Sequence, residues 1–179
     1  MTISEQKKAL RKELITRRKE LSLCERQARD ERIFARLLPL LEECSGVFTY
    51  VSTDIEVGTR MVIDWCIQRG KPVFTPVSGD YELTFYQVHS WSELKPGKFG
   101  IEEPTNRTIP AAADGSSLCI VPALCCNMNG FRLGYGRGYY DRFLADFPGR
   151  MAVICYADFV MEVPQESHDR SADLVITDT

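Results

Sequence analysis

Three short apolar runs constrain this chain more than anything else in it. They are "LCIVPAL" at 118–124, "MAVICYA" at 151–157 and "DLVITD" at 173–178. A strand with one wet face alternates apolar and polar residues, whereas a strand apolar throughout is covered on both faces. Helical patterns lie between such runs. Leu10, Leu14 and Leu21 form a narrow stripe on a helix from about Ser4 to Leu21. "SLCE" at 22–25 has capping-box spacing and opens a second helix, with Ile33, Phe34, Leu37, Leu38 and Leu41 inward. "VFTYV" at 47–51 reads as a first strand, and 57–69 as a third helix with Met61, Val62, Trp65 and Cys66 on one face. "PVFTPV" at 72–77 reads as a second strand, and "YELTFYQV" at 81–88 alternates like a strand open to water on one side. The stretch 89–117 reads as one long loop, and "YYDRFLADF" as a helix. Strands alternating with helices predict a three-layer α/β/α sandwich with a mostly parallel central sheet, formed by residues 1–179 as a single domain.

Bulk composition narrows the function. Apolar residues make up 44% of the 179, enough for a real core. The net charge of -3 argues against a general nucleic-acid binder. No run approaches a membrane span or a secretory leader, so a cytoplasmic protein with no membrane partner is expected. Seven cysteines lack metal or redox spacing and mostly sit in apolar runs, where buried, inert thiols are expected.

In an α/β sheet, ligands bind beyond the carboxyl ends of the strands. "RLGYGRGYYD" at 132–141 falls there, after the 118–124 strand and before a helix. Its glycines let a ligand approach the backbone closely. Free amides at the helix start, with Arg132 and Arg137 on either side, suit phosphate. Asp141 would cap the first helical turn or hold a magnesium ion. Neither the dinucleotide fingerprint nor the P-loop motif is present. The alternative is a glycine-rich turn whose tyrosines pack on the core. Glu56 also follows a strand, although Thr53 and Glu56 have capping-box spacing for the next helix. Lys7 and Arg11 share a helical face with Lys8 beside them, and a solvated charged face is the plainer reading. Asp169 and Asp173 precede the last strand, where most acids are surface loop residues. His89 and His168 have no partners that imply a triad or a zinc site.

Taken in order, "KKALR", "YVSTDIEVGT", "FGIEEP", "VPAL…NGFRLGYGRGYYDRFL" and "VPQESHDRSAD" make the chain resemble the 5-formyltetrahydrofolate cyclo-ligase family along nearly its whole length. The resemblance implies ATP contacts from Lys7, Lys8, Ala9, Leu10 and Arg11. It implies phosphate contacts from Arg132, Leu133, Gly134, Tyr135, Gly136, Arg137, Gly138, Tyr139 and Tyr140. Tyr135 to Tyr139 would also touch the folate, together with Val51 and Glu56. Magnesium would be held by Asp141 and a second acid that matches Asp169 best, with Asp173 nearby. Arg137 departs from the family pattern, standing where relatives often carry Gly or Lys.

The implied reaction is ATP- and Mg2+-dependent cyclisation of 5-formyltetrahydrofolate to 5,10-methenyltetrahydrofolate, with phosphate released from a phosphorylated formyl group. The formyl amide is a poor electrophile with a poor oxygen leaving group, so phosphorylation activates it. N10 then closes the ring, and no protein nucleophile is needed. A monomer is expected, and the basic first helix suits a polyglutamate tail. Two rival readings remain at this point. One is an α/β enzyme acting on a sugar phosphate or a coenzyme A ester. The other is an RNA-binding module built on "YGRGYY", against which the acidic balance stands.

Overall fold

A computed structural model of the chain describes residues 2–179. Its elements are α1 (Ile3–Glu20), α2 (Leu23–Glu43), β1 (Val47–Thr49), α3 (Arg60–Arg69), β2 (Val73–Ser78), β3 (Leu83–Gln87), β4 (Leu94–Pro96), β5 (Glu102–Pro104), β6 (Leu118–Val121), β7 (Cys125–Cys126), β8 (Arg132–Leu133), α4 (Tyr139–Ala145), β9 (Arg150–Ile154) and β10 (Leu174–Ile176). Six strands form the main sheet in the order β10-β9-β6-β1-β2-β3. Every pairing in it is parallel except β2 with β3, at the edge. The alternating 81–88 run thus became one edge strand and the apolar 118–124 run a central one, while the apolar 173–178 run forms the other edge.

Side chains on β6 divide between two cores because successive residues point to opposite faces. Leu118 and Ile120 join Leu14, Leu37, Leu41, Val62 and Ile63 from α1, α2 and α3. Cys119 and Val121 join Phe48, Phe85 and Leu144 on the other face. There α4 lays Phe143 on the aromatic cluster and Phe147 follows just beyond the helix, with the Phe85 and Phe143 rings 4.5 Å apart. The layers are therefore helices, sheet and helix, as expected, with three helices on one face and one short helix on the other.

The differences from the sequence reading lie between the main elements. The 89–117 stretch is not structureless, because β4 and β5 pair antiparallel within it. Ala111 N–H also donates to Phe85 O at 2.8 Å, tying the stretch to β3. The third helix begins at Arg60 rather than 57, because residues 53–59 form a separate turn. The "SLCE" box forms: Ser22 Oγ accepts from Glu25 N–H at 3.2 Å, and the Glu25 carboxylate accepts from Ser22 N–H at 3.0 Å. Cys24 is exposed and the other six cysteines are buried. Burial pushes the Cys66 and Cys125 thiols up to about 12, so they stay protonated near neutrality. No helix among the described residues is long and apolar enough to cross a membrane.

Candidate active site

The carboxyl ends of β1 and β6 open into a cavity of about 660 Å³. Its walls include Lys7 and Arg11 from α1, Val51 and Glu56 after β1, all of Arg132 to Asp141, and Asp169. Lys8, Ala9 and Leu10 are not in the lining: Lys8 and Ala9 are exposed, and Leu10 packs against the core. Asp173 is not there either. Its carboxylate accepts from Met151 N–H at 2.7 Å, which joins the 170–173 segment to β9. Of the two acids considered before the last strand, Asp169 is the one at the cavity.

The inward face of α1 contradicts the solvated-face expectation. Lys7, Leu14 and Arg18 are buried, and Arg11 reaches the cavity on the same side. Lys7 Nζ donates to Asp169 at 2.6 Å and to Glu166 at 2.8 Å. Burial opposes the Lys7 charge, but the two carboxylates outweigh it and raise the ammonium above its ordinary value. Burial likewise works against ionised Asp169, but Lys7 and the Glu166 N–H outweigh it and hold the carboxyl below its ordinary range.

The glycine run is presented by a two-stranded hairpin, which the sequence reading did not foresee. Cys125 and Cys126 pair with Leu133 and Arg132. Gly136 has φ 93°, and a Cβ there would meet the Arg11 guanidinium at 3.0 Å. Arg11 Nε donates to Gly134 O at 2.8 Å, so this cation lies against the loop backbone. The Arg132 side chain is 4% exposed, donates to Arg170 O at 2.8 Å and pairs with Asp141 at 3.0 Å. Gly138, at φ 68°, leads into the seven-residue α4. Arg137 stacks on Phe99, 3.9 Å from its ring centroid, joining the glycine run to the 98–100 turn.

Glu56 sits on a different kind of support. Its carboxylate accepts from Thr53 N–H at 2.8 Å and from Thr53 Oγ1 at 3.0 Å. The capping-box spacing thus closes a local turn and caps no helix. Tyr50 OH donates to Val57 O at 2.7 Å, and Asp30 accepts from Gly58 N–H at 3.0 Å. Any Cβ at Gly58 would overlap the Asp30 carboxylate. Burial raises the Glu56 pKa, and Thr53 and the Arg18 charge pull against it. The Tyr50, Tyr135 and Tyr140 phenols are pushed up by burial and by Glu56. Near neutrality all three are neutral phenols in the neighbourhood of one carboxylate, and of the three Tyr135 hydrogen-bonds to it. The Tyr140 hydroxyl is buried without a hydrogen-bond partner among the described residues. Burying a hydroxyl unpaired is unfavourable, and Tyr140 is part of the cavity wall, where a polar ligand atom could pair with it.

Asp141 and Asp169 also line a second, smaller cavity, together with His168 and Arg170. Single donor atoms of Glu166, His168 and Asp169 lie within 4.8 Å of one another. The carboxylate oxygens of Asp141, Asp169 and Glu166 suit magnesium, a hard cation that takes one or two carboxylates and fills its remaining positions with water or phosphate. His168 suits it poorly. The sequence reading gave no part to Glu166, His168, Arg18 or Tyr50. Glu166 and His168 lie within the quoted "VPQESHDRSAD", which was the available signal. A single arginine in a basic helix gives none.

Known proteins with this architecture share more than the fold. A 5-formyltetrahydrofolate cyclo-ligase from Mycolicibacterium smegmatis is 29% identical over 96% of this chain and 93% of its own length. A probable 5-formyltetrahydrofolate cyclo-ligase from Schizosaccharomyces pombe is 30% identical over 78% of each chain. The NMR structure of Aquifex aeolicus 5,10-methenyltetrahydrofolate synthetase superposes with a TM-score of 0.85 at 29% identity, over 96% of this chain and 89% of that one. The model of the 5-formyltetrahydrofolate cyclo-ligase family matches residues 3–178, and the chain belongs to that family.

Proposed function

We propose that this protein is a ligase that converts 5-formyltetrahydrofolate to 5,10-methenyltetrahydrofolate, with ATP cleaved to ADP and phosphate as the formyl oxygen is phosphorylated. The observation that carries the reading is the meeting of three groups in one cavity: the glycine run with Arg132, the α1 cations, and the buried Glu56. Family membership supports the same substrate and product.

The residues divide the work by chemistry. Arg132 and the 134–138 backbone face the phosphoryl group in flight, where positioning and charge neutralisation carry most of the catalysis. Lys7 and Arg11 neutralise the remaining phosphates, while Lys8, Ala9 and Leu10 support them from the helix. Glu56 accepts a hydrogen bond from N10–H and aligns that nitrogen on the formyl carbon. As N10 attacks, its proton leaves toward Glu56, the bond from carbon to the former formyl oxygen breaks, and that oxygen departs as part of the phosphate. The Tyr140 hydroxyl donates to an oxygen of the reacting group, and Val51, Tyr135 and Tyr139 wall the folate. Asp141 and Asp169 would hold a magnesium ion, which would supply charge neutralisation for the transferred phosphoryl group. No side chain forms a covalent bond to substrate, in keeping with Cys66 and Cys125 thiols held protonated in the core.

The test is to mix the protein with 5-formyltetrahydrofolate, ATP and magnesium and follow the near-ultraviolet absorbance of the methenyl product. The expected signal needs all three components. A protein that gives no signal yet binds another phosphate ester would be an α/β enzyme of different substrate.

A further inference from the structure

Arg18 is fully buried, and none of its hydrogen bonds goes to a carboxylate. Nη1 donates to Ile55 O at 3.1 Å, while Nη2 donates to Ala123 O at 2.9 Å and Leu124 O at 2.8 Å. The guanidinium also lies 4.7 Å from the Phe159 ring centroid and 5.5 Å from that of Tyr156. A buried cation is costly unless its charge and its donors are all answered. Carbonyls and aromatic faces answer the donors here, and the compensating charge comes from further away. Glu56 and Asp30 both feel the Arg18 charge.

The carbonyls it holds come from two walls of the cavity. Ile55 directly precedes Glu56 after β1, and Ala123 and Leu124 follow β6 and Pro122, which is itself in the lining. One side chain from α1 therefore ties the carboxyl ends of two neighbouring strands together. Glu56 is faced by Tyr50 from the end of β1, Tyr135 from the glycine run, Tyr140 from α4, Thr53 from its own turn and Arg18 from α1. Among these groups Arg18 alone is a cation.

We propose that Arg18 is the positioning residue of Glu56: it anchors the 53–59 turn to the end of β6 and supplies the positive charge that opposes the burial of that carboxylate. The inference rests on the reading that Glu56 serves the folate as an ionised group. It separates two properties of one side chain, the fork that holds three carbonyls and the charge that acts on Glu56. Lysine keeps the charge and loses the fork, and methionine loses both.

The experiment compares Arg18→Met, Arg18→Lys and Glu56→Gln, alone and combined, with near-ultraviolet circular dichroism to establish folding. KM for 5-formyltetrahydrofolate and for ATP, and kcat/KM against pH, are measured by the cyclisation assay. Arg18→Met is expected to raise the folate KM roughly tenfold, a coupling of ordinary size for interacting groups, and leave that of ATP within about twofold. It should also move the acid limb of kcat/KM upward by about one pH unit, because Glu56 then ionises without its cation. Arg18→Lys should raise the folate KM but leave the limb in place. In the Glu56→Gln background, Arg18→Met should add less than about a twofold further loss. Equal losses for both substrates with an unmoved limb, or full additivity with Glu56→Gln, would overturn the inference. If Arg18→Met does not fold, Arg18→Lys decides alone: a folate-selective loss supports the inference and an equal loss overturns it. A wild-type protein that makes no methenyl product defeats the functional reading itself, a result distinct from failure of the Arg18 variants.

Discussion

The two ends of the cavity are built differently. The Glu56 end is already satisfied internally: its carboxylate binds Thr53, and the turn around it is held by Tyr50, Asp30 and Arg18. At the other end, which the proposed function gives to phosphate, Lys7 is held by Asp169 and Glu166 and Arg132 by Asp141, while Arg11 lies on the Gly134 carbonyl. Under the proposed function the contrast follows from what each end would bind. A neutral amine at N10 needs one acceptor in a fixed place, which a prebuilt turn provides at no rearrangement. A polyphosphate would bring several negative charges, and cations left bare to await it would repel one another, so on this proposal the acids hold Lys7 and Arg132 in the meantime. The same acids then stand where a magnesium ion would sit, so the ion pairs and the proposed metal site draw on the same carboxylates.

Breaking the phosphate end should have the largest effect. Arg132→Ala should lower ATP-dependent turnover by roughly 10³-fold or more, the scale of a lost arginine on a transferring phosphoryl group, with the fold intact by circular dichroism. Near-normal turnover would place the phosphoryl group elsewhere. Glu56→Gln keeps the shape and removes the charge. It should reduce kcat/KM for folate by roughly 10²-fold, as for one lost interaction aimed at the reacting centre, and leave ATP binding by calorimetry little changed. An effect on ATP alone would contradict the division between the two ends.

A smaller effect concerns stability. Lys7→Met should destabilise the fold by about 1.5–3 kcal/mol at pH 7, the range for a charged hydrogen bond. The sign of its pH dependence follows from Asp169, whose carboxyl lies below its ordinary value of 3.8 in the folded protein. A depressed carboxyl contributes stability above its unfolded pKa and loses it as pH falls through the folded one. The difference between wild type and Lys7→Met, read from urea midpoints, should therefore shrink below pH 3.8. The smallest effect is expected at Asp173. Its exposed carboxylate serves Met151 N–H, so Asp173→Asn should leave the magnesium dependence of turnover unchanged while Asp169→Asn raises the magnesium requirement. The reverse result would exchange the two acids.

Much of this molecule was legible in its residues, and the boundary of legibility is physical. Fully apolar runs such as "LCIV" can be satisfied only inside a covered sheet, so the sequence by itself determined a three-layer α/β build and the central place of the 118–124 run, while the equally apolar 173–178 run lies at an edge. The glycine run declared a close backbone approach for the same local reason: only glycine tolerates φ 93° at Gly136 beside the Arg11 guanidinium. Polar pairing between distant segments left no periodic trace. The inward face of α1 carries Lys7 and Arg18, which a hydropathy rule assigns to water. Only the tertiary structure brought Lys7 to Asp169, 162 residues away, and Arg18 to carbonyls at 55, 123 and 124. Short pairs such as β4 with β5 and β7 with β8 were equally hidden, because two- and three-residue strands are stabilised by their partners and not by their own side chains. Local chemistry determined what each segment is able to be. Folding decided which charges meet, because a charge pair depends on distance in space and the sequence records distance along the chain.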